Sequence, residues 1–322
     1  MRRHRSILVA VQSTSAFLTC ALMAVVATGC VTINLRPGPA PLQETTLSGT
    51  ARDKILVLDI TGFIAGEPRG ASLLGERQPS LVATVDEALT RAEKDRRVRG
   101  LILRVNSPGG TVTASDTIYQ RLEAYQQRTK TPIVAHMMDL ATSGAYYIAQ
   151  AADRIVAQPT TVTGSIGVIM VRPGVEGLLT KLGIETTEIA SGPYKGMGSP
   201  LRPLSEEEHR LFQGVIDDLY GRFLETVDAG RPRLDHEQIR ALADGRIYTA
   251  QQALSSGLVD EIGYLDTAIQ RVKDAAQITD ARVIMYTKPG EYRGSPYAGP
   301  LVQLDLGALE PATPGFLYLW RP

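Results

Sequence analysis

The strongest constraint on the fold is a series of short apolar runs separated by helical patterns. "KILVLDI" (54–60), "GLILRV" (100–105), "PIVAHM" (132–137), "RIVA" (154–157) and "GVIMV" (167–171) are β-rich and have the length of buried strands. A strand with one wet face alternates apolar and polar residues; these runs do not, so both faces must be covered. Between them, "SLVATVDEALTRAEKD" (80–95) and "SDTIYQRLEAYQQR" (115–128) carry helical spacing. The alternation predicts an α/β fold with a largely parallel sheet and flanking helices. Downstream the pattern becomes a helical C-terminal region. Residues 205–231 read as one long amphipathic helix opening with a capping box, Ser205 and Glu208. Shorter helices follow around 235–243, 249–255 and 264–276, then a strand at 281–286.

The ends read differently from the middle. "MRRHRS", "AFLTCALMAVVA" and "ATGC" have the basic start, apolar core and small-residue exit of an export signal over residues 1–29. The ending Gly29-Cys30 is similar to a bacterial lipoprotein signal, with Cys30 the lipidated first residue, although Ala27 stands where leucine is usual. An ordinary secretory signal or an uncleaved anchor are the other readings, and all three place the rest of the chain outside the cytoplasm. Residues 30–52 are rich in proline, glycine and threonine and read as a tether. The folded domain is expected over 53–287, followed by a Gly/Pro-rich tail, 288–322. That tail ends in "GFLYLWRP", whose large apolar residues call for a docking surface, with a neighbouring subunit's groove as the candidate.

Acidic and basic residues balance at 34 each, so there is no electrostatic case for nucleic acid. Removing residues 1–29 takes away three arginines and no acids, leaving 31 against 34 and a net charge of about −3. Of the two cysteines only Cys30 remains, so the domain holds itself together without disulfides.

Four glycine-bearing turns follow or precede the strands: "NSPGG" (106–110), "TSGA" (142–145), "TGSIG" (163–167) and "ASGPYKGMGSP" (190–200), the last after a strand-like "IETTEI". Any one of them is explained by turn geometry. All four can lie on the edge of the sheet where α/β folds build sites. Ser143, ahead of "GAYYIA", reads equally as a helix cap or as a nucleophile at a strand-to-helix turn. Histidine is a poor candidate for its base: His136 sits inside an apolar strand, while His209 and His236 lie in charged helical surroundings. Lys181 and Lys195 are the lysines between the serine and the long helix. Lys181 reads as solvated at a helix end. Lys195, in a glycine-rich loop, could act only if desolvation lowered its proton affinity. An ordinary surface lysine is the simpler reading.

The motifs "LRVNSPGGTVTASD", "ATSGAYYIA", "TGSIGVIM", "YKGMGSPLRPLSEEE" and "GRIYTAQQALSSGLVDEIG" occur in this order. On these the chain resembles the signal peptide peptidase A (SppA) family of serine–lysine peptidases over nearly all of residues 54–286. The resemblance implies a Clp/crotonase-like fold and peptide hydrolysis without metal or cofactor. It implies Ser143 as nucleophile, Lys195 as general base, Ser165 as the serine that orients the lysine, and Gly110 as an oxyanion-hole amide. Gly144 is a second amide by analogy with Clp proteases. It further implies hydrophobic peptide substrates such as released signal peptides, and a homo-oligomer in which the lysine of one subunit reaches the serine of another. Membrane attachment would run through the lipid on Cys30. The chain departs from the family pattern at Ala145, where a second glycine is common, and at Gly196, where many members are acidic. A non-catalytic oligomeric scaffold and a crotonase-type coenzyme A thioester enzyme are the rival functions.

Overall fold

The computed structural model of the protein describes residues 41–67, 79–288 and 316–320. The signal segment, Cys30, most of the expected tether and residues 289–315 of the tail lie outside the described residues. Along the chain run β1 (Gln43–Ser48), β2 (Lys54–Thr61), α1 (Leu81–Glu93), β3 (Val98–Ser107), β4 (Gly109–Thr111), α2 (Val112–Thr129) and β5 (Ile133–Thr142). Then come α3 (Gly144–Ala149), β6 (Arg154–Ala157), β7 (Val162–Gly164), β8 (Ile169–Met170) and α4 (Glu176–Lys181). The second half holds α5 (Glu206–Gly230), α6 (His236–Leu242), β9 (Ile247–Thr249), α7 (Ala250–Ser255) and β10 (Glu261–Ile262). Helix α8 (Leu265–Ala276), β11 (Arg282–Thr287) and β12 (Phe316–Leu319) follow.

The main sheet has the order β1-β11-β2-β3-β5-β6-β10. Every pair along it is parallel except β1 with β11. Strand β7 pairs with the far end of β5 and antiparallel with β9. The expected α/β class is therefore present, and the reason is visible in the strand faces. Because side chains alternate, Leu56, Leu58, Ile60, Leu101 and Leu103 join a large core with α1, α2 and α3. Ile55, Val57, Ile102, Val134 and Val156 meet Leu265, Ala268 and Val272 of α8 on the other face. The long helix α5 begins with the expected capping box, Ser205 Oγ accepting from Glu208 N–H and Glu208 accepting from Ser205 N–H.

Four expectations are corrected. The tether stops ten residues earlier than residue 52, because residues 43–48 pair with β11. Their threonines are β-branched and suit an edge strand, and Thr45 Oγ1 lies 2.8 Å from Thr287 Oγ1. "IETTEI" is not a strand: Ile184 and Ile189 are 49% and 96% exposed, and among the described residues no strand pairs with this stretch. "GVIMV" contributes only the two residues of β8. The apolar end of the chain does dock, but within its own chain: β12 lies between β4 and β8 in a second, three-stranded sheet.

Strand β1 is secured by charge as well as by its ladder. Lys54 Nζ is buried and sits 2.7 Å from both Glu44 and Asp95. Burial pushes the Asp95 carboxyl up, but hydrogen bonds from Lys54 and Arg97 outweigh it and hold the group at about 2. Its folded affinity for protons is thus below the ordinary 3.8, so its stabilisation is present above that pH and is lost as the pH falls toward 2. Lys54→Ala should lower stability by about 2 kcal/mol, less than for a fully buried pair because both acids keep some water. Thermal melts of the variant should also lose the steep acid dependence between pH 4 and 2 that the unaltered chain shows.

Candidate active site

Strand β5 ends at Thr142, and the chain reverses into α3 through Ser143, at φ 54° and ψ −118°. A non-glycine residue in this region carries a strain of about 1–3 kcal/mol. Two backbone bonds fix it: Ser143 N–H donates to the Gly164 carbonyl at 2.7 Å, and Tyr147 N–H donates to the Ser143 carbonyl at 2.9 Å. Packing supplies more. All six residues of α3 are buried. Tyr146 donates its hydroxyl to the Leu258 carbonyl at 2.8 Å and Tyr147 donates to Asp116 at 2.6 Å. Burying each aromatic contributes about 2–3 kcal/mol, so the strained serine is outweighed by its surroundings. Ser143 Oγ makes no capping bond. That separates the two readings the sequence left even: the side chain does not serve the helix.

The turn after β3 comes up beside it. Ile64 N–H donates to the Gly109 carbonyl at 2.9 Å, and Thr111 N–H donates to the Ile64 carbonyl at 2.8 Å. Neighbouring residues in a strand point their polar groups to opposite sides, so the N–H and C=O of Gly110 face away from Ile64. A side chain is impossible at this position, since a Cβ on Gly110 would stand 1.9 Å from the Ile64 carbonyl oxygen. A Cβ on Gly144 would lie 3.3 Å from Gly110 N and 2.4 Å from Ser115 Oγ. The Gly110 amide and the residue following Ser143 are thereby brought together. Ser165 belongs to the same cluster through its backbone. It follows Gly164, which accepts the Ser143 N–H; its own N–H donates to the Arg246 carbonyl at 2.7 Å, and its φ is 52°.

Lys195 is not in this cluster. It is exposed on a turn between Gly192 and Gly198, and no hydrogen bond among the described residues joins it to Ser143 or Ser165. Of the four glycine turns, three converge and the fourth stands apart. Next to Lys195, a Cβ on Gly196 would fall 1.6 Å from Glu188 Oε1. The space an acidic side chain at 196 would enter is already held by a carboxylate from Glu188, which is 3.6 Å from Arg202. Ala145 is fully buried against the core.

His136 belongs to a polar row across the sheet. Asp59, Arg104 and His136 are register partners on β2, β3 and β5, with Arg104 Nε 2.6 Å from Asp59. This row is on the α8 face, and six residues of strand, roughly 20 Å, separate His136 from the end of β5. Both ring nitrogens are buried without a partner. Burial, and then the Arg104 charge, lower the imidazole to about 4. His209 is exposed on α5, and His236 is exposed and 2.8 Å from Asp228.

The sequence model described as Peptidase family S49 matches residues 125–279, and that described as Clp protease matches residues 67–169. A protein of Enterococcus faecium named as signal peptide peptidase SppA is 38% identical over 244 residues, 76% of this chain and 70% of that one. The chain belongs to peptidase family S49. Protease 4 of Haemophilus influenzae is 36% identical over 69% of this chain, which covers 34% of that protein. Serine protease SPPA, chloroplastic, of Arabidopsis thaliana is 33% identical over 70% of this chain and 33% of its own length. The α/β fold of this S49 peptidase is accordingly Clp protease-like.

Sequence reasoning missed the parts that hold the S49 site in place. Ile64, which wedges against Gly110, follows an unremarkable strand end. Asp116, which accepts from Tyr147 and lies 3.3 Å from Arg222, reads only as a helix-surface acid. His136→Leu tests the remaining histidine. An imidazole lowered from 6.5 to about 4 destabilises the fold as the pH falls through that window. The variant should be less acid-sensitive there by about 2–3 kcal/mol while keeping its rate of peptide cleavage. A large loss of turnover in a folded variant would return His136 to the site.

Proposed function

We propose that this S49 peptidase is a serine endopeptidase working through Ser143 and Lys195. The observation that carries the reading is the strained, non-capping Ser143 beside the amides of Gly110 and Gly144. In this mechanism Ser143 Oγ adds to a peptide carbonyl as Lys195 Nζ takes its proton. The oxyanion is held by the Gly110 and Gly144 N–H groups, an interaction that strengthens only as charge develops. The C–N bond then breaks, the proton passes to the departing amine, and water activated by the same lysine releases the acyl group. Ser165 orients the lysine amine. No step in this scheme calls on a metal or cofactor.

Lys195 reaches the serine from a second copy of the chain. Among the described residues, nine of the eleven exposed large hydrophobics lie between residues 169 and 215, the segment that carries Lys195. Ile189, Leu182, Leu178 and Tyr194 among them are apolar side chains that a single chain leaves in water. Closing that surface against another subunit would also remove water from the ammonium, the condition a lysine base needs. The rival scaffold reading is disfavoured by the same strained serine, which a non-catalytic protein has no reason to maintain. A coenzyme A thioester enzyme is disfavoured by the export signal at residues 1–29.

The substrates proposed are hydrophobic peptides, including released signal peptides, met at a membrane surface where a lipid on Cys30 holds the enzyme outside the cytoplasm. Cys30→Ser should move the protein from the membrane fraction to the soluble one; unchanged partition would remove the lipid anchor from this account. Ser143→Ala and Lys195→Ala should each lower kcat/KM at least ~10³-fold. Co-expressing the two inactive chains should restore cleavage, because a mixed assembly sets an intact serine beside an intact lysine. Restoration absent in confirmed mixed assemblies would place the lysine within its own chain. Undiminished turnover in folded Lys195→Ala would end the dyad.

A further inference from the structure

The loop that carries Lys195 has no regular structure, yet its main chain is held on both sides of the lysine. Within it, Lys195 N–H donates to the Gly192 carbonyl at 3.2 Å, Met197 N–H to that of Tyr194 at 3.1 Å and Ser199 N–H to that of Gly196 at 3.0 Å. Turn bonds of this kind shape the loop without attaching it to the fold. Side chains do that. On one side, Tyr194 donates its hydroxyl to Glu207 at 2.5 Å. On the other, Arg202 Nη2 donates to the Gly196 carbonyl at 3.0 Å. Arg172 closes the far end of the loop. Its Nε donates to the carbonyls of Gly198 and Ser199, both at 3.1 Å, and its Nη2 also meets the Arg202 carbonyl.

Arg202 joins this loop to α5. The same Nη2 donates to Glu208 Oε1 at 2.6 Å and Nη1 donates to Glu208 Oε2 at 2.9 Å, the two-pronged bond that suits a guanidinium. Glu208 is buried, and its Oε2 already accepts the Ser205 N–H that opens the helix. That capping box is complete with Ser205 and Glu208 alone, so the bond from Arg202 to Gly196 serves the loop and not the helix. The neighbours of Lys195 are thus tied to consecutive residues, Glu207 and Glu208, in the first turn of α5. About four turns farther along, roughly 22 Å, Phe223 packs on Tyr147 with ring centroids 5.1 Å apart. Arg222 beside it lies 3.3 Å from Asp116, the acceptor of the Tyr147 hydroxyl. Tyr147 belongs to α3, the helix that starts after Ser143. One helix therefore holds the lysine loop at its start and the serine's support near its end.

We infer that Arg202 is a positioning residue for Lys195, seating the lysine loop on the first turn of α5, with Tyr194 as a second strut. The inference rests on the reading of Lys195 as general base and adds what aims it. A lysine at 202 would carry the same charge without the fork, so it can hold Glu208 or the Gly196 carbonyl but not both in this geometry.

Arg202→Lys releases the loop while keeping the charge, and Tyr194→Phe removes the other strut without touching Glu208. In the assembled full-length protein in detergent, hydrogen exchange over residues 190–200 should rise in each variant and stay unchanged over α3. Cleavage is followed with a quenched-fluorophore apolar peptide, ALMAVVATG, the sequence of residues 21–29. Arg202→Lys should lower its kcat at least about tenfold, since a displacement of about 1 Å can cost ~10²-fold, while KM stays within about twofold. Mixed assemblies make the test sharper. One chain carries Ser143→Ala and supplies the lysine, and the other carries Lys195→Ala and supplies the serine. Arg202→Lys should cost at least about tenfold more on the first chain than on the second. Equal loss from either chain marks a general structural role and overturns the inference. So does unchanged exchange over residues 190–200, or raised exchange with kcat intact. Where mixing restores no cleavage, exchange and kcat of the uniform variants decide. Raised exchange together with undiminished cleavage by Lys195→Ala keeps the brace and overturns the lysine-base reading instead.

Discussion

The site depends on main chain approaching main chain more closely than any side chain allows. Gly110 lies against Ile64 on one side and offers its amide on the other, and Gly144 fits beneath Ser115 and next to Gly110. Around this contact the strain at Ser143 becomes tolerable. Its amide is tied to β7 through Gly164, and the helix that follows is sunk in the core. The serine is thus not carried on a loop that must be ordered for each turnover. It is part of the sheet's own hydrogen bonding, with the cost of its geometry met by buried tyrosines.

Much of this architecture is legible in the sequence because continuous apolar runs have few alternatives to a covered parallel sheet. The runs at 54–60, 100–105 and 132–137 became β2, β3 and β5 for that reason. Where composition stood in for periodicity, the reading slipped. "QETTLS" looked like tether but is an edge strand, since pairing with β11 supplies what its weak hydrophobicity does not. "IETTEI" looked like a strand and is not, because β-branched residues without a neighbouring edge have nothing to pair with. The role of Ser143 was beyond periodicity altogether: cap and nucleophile differ in φ, and φ at a non-glycine turn is set by the tertiary contacts around it. Lys195 came from family resemblance alone, and in a single chain it remains apart from the serine.

The division of the site has a physical sense. The elements that form the serine side, β3 to β7 with α3, are buried and tightly bonded. The lysine segment is exposed, apolar and short of regular structure. One half is packed as folded, and the other presents apolar side chains to water. If the lysine comes from a second copy, as proposed, the enzyme would acquire its base together with its partner, and assembly and the readiness to react would be one equilibrium.

The Glu188–Gly196 contact bears on how such chains diverge. Glu188 sets its carboxylate where a side chain at 196 would lie, so the two positions share one volume. A lineage cannot hold both without a clash and a like-charge pair. An acid in that volume is therefore a property of the place in the fold and not of one residue number.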